Sequence, residues 1–177
     1  MMKWRSVSDA RLATMFVLGV LVISAPRFSV GADTPQVLLD ASKAGPRAVE
    51  SLTERSIIRD YQFAWMNLAQ ARASSSTAPL NGLFVGTAND WLTSAVNSQR
   101  HSGLSFRYSN QSHKLEAVFY APEGDVIELH DNAEYDLQIL EESKTIHTEH
   151  VVARYVVLMT PAADRWVIRQ LQAVPQF

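Results

Sequence analysis

From Ile127 to Ile139 apolar and polar residues alternate. Ile127, Leu129, Ala133, Tyr135, Leu137 and Ile139 fall on one side of an extended chain; Glu128, His130, Asn132, Glu134, Asp136 and Gln138 fall on the other. That period of two predicts a strand with one face on a core and one in water. One member of the inward row is a carboxylate, Asp131, where a hydrophobe belongs. Similar runs flank this strand. Leu104, Phe106 and Tyr108 begin one that resumes with Leu115, Ala117 and Phe119 after a polar bend; another ends with Ala153, Tyr155, Val157 and Met159; a last runs from Trp166 to Val174. The turns between them (Pro122-Glu-Gly-Asp125, Glu141-Glu-Ser-Lys144, Pro161-Ala-Ala-Asp164) are short, so the strands are sequential antiparallel neighbours.

Upstream the spacing is helical. Ile57, Tyr61, Ala64, Leu68 and Ala71 form a stripe widened by Ile58 and Trp65, with Glu54, Arg55, Arg59, Asp60, Asn67 and Gln70 as wet positions. Ser51 with Glu54 reads as a capping box, and Ser74-Ser-Ser76 and Pro79 end the helix. A second helical region covers Leu80–Arg100, broken near Gly86, with Trp91, Leu92, Ala95 and Val96 facing inward and Gly103 as its stop. The expected class is α+β: N-terminal helices packed on one face of a curved four-stranded antiparallel sheet. Residues 33–46 read as a linker and residues 47–177 as one domain.

The N-terminus adds a compartment. Lys3, Arg5 and Arg11 precede the uncharged apolar run Leu12–Ile23, and Val30-Gly-Ala32 meets the small-residue requirement for cleavage. Residues 1–32 therefore read as a secretory signal peptide, placing the protein in the periplasm or outside the cell. The rival is an uncleaved anchor over residues 12–25, the one case in which the chain would sit on a membrane; Pro26 and Arg27 interrupt that run early. Net charge is −2, and loss of the basic N-terminal segment makes the rest more acidic, which argues against nucleic acid as a partner. The absence of cysteine excludes disulfides, thiol catalysis and cysteine-ligated metal. An exported domain without disulfides depends on packing.

Two helices followed by long antiparallel strands resemble the cone-shaped NTF2-like superfamily. Within it, Trp91-Leu-Thr-Ser-Ala-Val96, then Gly103 and Phe106-Arg-Tyr108, is similar to the intermembrane-space domain of plastid and cyanobacterial division proteins, where a tryptophan-bearing helix leads into a tyrosine-rich strand. Trp166-Val-Ile-Arg169 matches the usual ending of such domains. The resemblance spans Ser51 to Val174 and contains no catalytic motif. It implies either a non-catalytic interaction module or, as in other branches, an isomerase, dehydratase or hydrolase built around a polar residue in the cone.

Asp131 is the first candidate for such a residue. Pairing around the Glu141–Lys144 turn brings Tyr155 beside it on the same face, and a desolvated acid makes a general acid or base. Its structural alternative is a carboxylate satisfied at a bulge or rim. Trp65, Trp91 and Tyr135 are candidate walls for an apolar ligand, with His147 and Glu149 nearer the turn; as core residues the tryptophans need no ligand. Trp166 reads as core. His147-Thr-Glu-His150 is not a metal site, because His150 points away from His147 and Glu149 on a strand. His101 and His113, at a helix end and a polar bend, are expected to be exposed. No motif calls for a cofactor. The leading expectation is an exported, non-catalytic module binding an envelope protein or a small apolar ligand, with a homodimer through the sheet as a further option. The alternative is a small isomerase- or dehydratase-type enzyme using Asp131 and Tyr155.

Overall fold

The structure, a computed structural model, describes residues 34–177. The expected signal segment therefore lies outside the described residues. Two helices cover one face of a five-stranded sheet in the order β1-β2-β3-β4-β5, with β1 Gln36–Asp40, α1 Ser51–Ser74, α2 Gly86–His101, β2 Leu104–Tyr120, β3 Ile127–Glu141, β4 Lys144–Pro161 and β5 Trp166–Val174. β2 to β5 form the expected antiparallel meander.

The fifth strand corrects the four-stranded expectation. β1 runs parallel to β2, Gln36 opposite Ser112 and Asp40 opposite Glu116. It lies inside the stretch read as a linker, whose far end is also tied down: Tyr120 N–H donates to the Gly45 carbonyl at 2.8 Å. The strand is five residues long, and its partner is far away in sequence, so no turn announces it. Val37 and Leu39 pack on the core while Leu38 is exposed.

α1 buries its predicted stripe, Ile57, Tyr61, Ala64, Trp65, Leu68 and Ala71. Asp60, expected in water, is buried because its Oδ2 accepts the Trp166 backbone N–H at 2.8 Å. The capping box does not form: Ser51 is already helical and Glu50 is the N-cap, with no side-chain cap bond. Between the helices only Ala78–Leu80 makes a 3-10 turn, so the second helix starts at Gly86 rather than Leu80. Its Leu92 and Val96 are buried, but Trp91 is 51% exposed.

Bulges rephase the strands. Ser109 pairs with Asp136 and Ser112 with Glu134, so β2 carries one extra residue there, with Asn110 at φ 52°. A second irregularity lies between Ala117 and Phe119. The inward row of β2 therefore passes from Phe106 and Tyr108 to His113, Leu115 and Ala117, then to Tyr120, leaving Phe119 exposed rather than inward. A shift near Ile139 likewise buries Leu140 and leaves Ile139 half-buried. Such bulges bend a strand and increase its twist. The core fills the concave side, where Ile127, Leu129, Val157, Met159 and Ile168 are wholly buried.

Candidate functional site

β3 and β4 pair with Asp131 opposite Tyr155, as the turn geometry implies, but the Asp131 carboxylate finds other partners. Its Oδ2 accepts the Tyr61 hydroxyl at 2.7 Å and lies 2.8 Å from His113 Nδ1. A carboxylate oxygen only accepts, so that imidazole carries its proton on Nδ1. Both side chains of the His113–Asp131 pair have no exposed surface. Tyr155 instead lies with its hydroxyl 3.3 Å from that of Tyr135.

His113, read as an exposed residue of a polar bend, is thus central to the buried cluster. The bend is the bulge, which puts His113 in phase with Leu115 and Ala117; counting back by two from Leu115 would have found it. Tyr61 was visible only as a member of the α1 stripe. Burial, and secondarily the Asp131 charge, pushes the Tyr61 hydroxyl well above its ordinary pKa. The cluster is incompletely bonded: His113 Nε2 and Asp131 Oδ1 are buried without partners, as is Trp65 Nε1 nearby.

The Trp65 ring packs on the His113 ring, centroids 4.3 Å apart. Trp65 also lines a cavity of about 250 Å³, together with Trp91, Phe106, Tyr108, Tyr135 and Tyr155 among others. Neither Asp131 nor His113 lines it. The structure therefore gathers Trp65, Trp91, Tyr135 and Tyr155 around one space and seals Asp131 beneath them. Trp91, expected to face the core, stands at this opening. Burial raises the hydroxyl pKa of Tyr108, Tyr135 and Tyr155 above the usual tyrosine value, so all three stay neutral at physiological pH.

His147 and Glu149 do not reach this space. They are exposed on β4, with His147 Nε2 3.4 Å from Glu149 Oε2. His150 bonds Asp136 at 2.9 Å instead. Among the described residues no group of three or more His, Asp or Glu side chains is placed to hold a metal ion.

Neither a protein-family model nor a curated protein sequence matches the chain. Among solved structures it is similar to the intermembrane space region of the chloroplast protein ARC6, at 12% identity over 73% of this chain and 98% of that one, with a TM-score of 0.56. Two looser likenesses have TM-scores below one half. One is the hexachlorocyclohexane dehydrochlorinase LinA-type3 of Novosphingobium barchaimii, at 10% identity over 72% of this chain and 98% of that one, TM-score 0.44. The other is a scytalone dehydratase-like protein of Novosphingobium aromaticivorans, at 12% identity over 70% and 85%, TM-score 0.43. The likeness to the ARC6 region is one of fold.

Proposed function

We propose that this chain is an exported, non-catalytic NTF2-like module that holds a small apolar ligand in the mouth of its cone, in the cell envelope. One observation carries the binding reading: an aromatic-lined cavity lies at the mouth while the acid and the imidazole are sealed from it by Trp65. A general acid or base must come within hydrogen-bond reach of a substrate proton, and His113 and Asp131 have no exposed surface. Aromatic walls with a few polar groups are the ordinary make-up of a small-molecule site. Export is supported by the basic start, the apolar run Leu12–Ile23 and Val30-Gly-Ala32. No helix of the described residues is long and apolar enough to cross a membrane.

A second reading is an isomerase- or dehydratase-type enzyme. It is favoured by the unbonded His113 Nε2 and Asp131 Oδ1, and it would use Asp131 with His113 and Tyr61 in place of Tyr155. Native mass spectrometry of protein purified from envelope extracts separates the two. A small molecule released unchanged, and lost on Leu137→Glu at the cavity wall, supports the module. Turnover of a bound species that stops on Asp131→Asn while binding persists supports the enzyme. N-terminal sequencing tests export: mature protein should begin near Asp33, and intact Met1 in the membrane fraction would overturn cleavage.

A further inference from the structure

Of the residues lining the cavity, Arg72 alone carries a formal charge. It stands in the last turn of α1, where a cation complements the helix dipole. Its backbone is held in place, because Gln99 Nε2 donates to the Arg72 carbonyl at 2.6 Å. The guanidinium carbon lies 4.2 Å from the centre of the Phe106 ring, a cation–π seat, with the Tyr108 hydroxyl also within reach of the fork. Arg72 Nε is buried and has no hydrogen-bond partner. Among the described residues no carboxylate lies within ion-pair distance of Arg72. Glu149, opposite the cavity residue Leu137, is exposed and engaged with His147.

A buried N–H without an acceptor is costly, and native proteins keep few of them. A planar guanidinium fork matches a carboxylate, which it binds through two parallel hydrogen bonds. Around it the walls are ring faces and edges from Trp65, Trp91, Phe106, Tyr108 and Tyr135, which suit a flat apolar body. A volume of about 250 Å³ holds about ten non-hydrogen atoms at interior packing density. A dianion such as a phosphate ester would bring a second charge that no lining residue offsets.

We infer that the ligand of this cavity is a small aromatic monocarboxylate, its ring among the aromatic walls and its carboxylate on the Arg72 fork; the inference rests on the ligand-holding reading given above. The test is calorimetric titration of the full chain with 3-phenylpropanoate and with its uncharged counterpart 3-phenylpropanamide. The acid should bind at least about tenfold more tightly than the amide. Arg72→Met, which keeps the stem over Phe106, should bring the two probes within about twofold of each other while the amide's affinity holds. Arg72→Lys keeps the charge without the fork, so it should retain part of the preference and serves if the methionine variant does not fold. Equal binding of acid and amide to the wild type overturns the carboxylate inference and leaves the cavity reading standing. Failure of both probes to bind overturns the cavity reading with it.

Discussion

The two ends of the cone are built on the same pair of strands and treat polar side chains in opposite ways. At the closed end α1 packs on β2 and β5, and Asp131 is bonded to Tyr61 and His113. Toward the mouth the β3 row continues as Tyr135, whose hydroxyl lies beside that of Tyr155, from the position opposite Asp131, at the edge of a cavity. There Arg72 keeps a buried donor unpaired. Strand alternation set both rows, and helical cover decides the difference. Where a helix supplies a ring or a hydroxyl, an inward polar group becomes part of the core. Where the helices leave a cavity between themselves and the sheet, it is left for something else to meet.

The largest expected effect tests both ends at once. Tyr61, Tyr108, Tyr135 and Tyr155 are all held above the ordinary value of 10.0, chiefly by burial. Below pH 10 the unfolded chain is protonated at these sites too, so stability is untouched. Above it the unfolded chain releases protons that the fold retains, and stability falls as pH rises, by up to about 1.4 kcal/mol per pH unit for each tyrosine. Phenolate absorbance should therefore grow together with the loss of far-ultraviolet circular dichroism. Phenolate formation in an intact fold would show that the mouth is more open than its walls imply.

Next comes the closed end itself. Asp131→Ala leaves His113 Nδ1 and the Tyr61 hydroxyl buried without an acceptor and should cost about 3–5 kcal/mol in urea unfolding. Asp131→Asn, which preserves one acceptor, should cost about 1–3 kcal/mol. If alanine were as mild as asparagine, the cluster would not be the buried polar knot described here. Tyr61→Phe removes one donor and retains the ring, so about 1–2 kcal/mol is expected by the same measurement.

The smallest effect on stability belongs to the mouth. Trp91 is 51% exposed, so Trp91→Ala should shift unfolding by less than about 1 kcal/mol while weakening aromatic probes in the calorimeter. A large loss of stability with unchanged binding would make Trp91 a core residue and dissolve the contrast between the two ends.

The meander, the α1 stripe and the Asp131–Tyr155 pairing were legible because each rests on local periodicity and on short turns. What escaped was non-local. β1 pairs with residues more than seventy positions away and in parallel, so no turn advertises it. Asp60 looked wet because its partner, the Trp166 amide, comes from β5. Within the site, Trp65, Trp91 and Tyr135 were recognisable as large aromatics at apolar spacing. Arg72 was not, since nothing in a helix's last turn distinguishes a solvated arginine from one turned onto a ring. His113 was misplaced because a period-two reading assumes that every residue advances the strand by one, and at Asn110 that assumption fails.

The single inserted residue at this bulge also bears on how the protein can change over generations. Point substitutions at His113 or Asp131 break the bonds of the buried cluster and leave the strand register as it is. Loss of one codon between Ser109 and Ser112 would remove only the surplus residue: Tyr108 would then run in unbroken alternation to His113 and Leu115, which keep their partners on β3 and their inward facing. The polar heart of the fold is therefore less tolerant of a changed letter than of a lost residue at the bulge, so lineages sharing this fold should vary in count at Asn110 and Gln111 before they vary in the letters at His113 and Asp131.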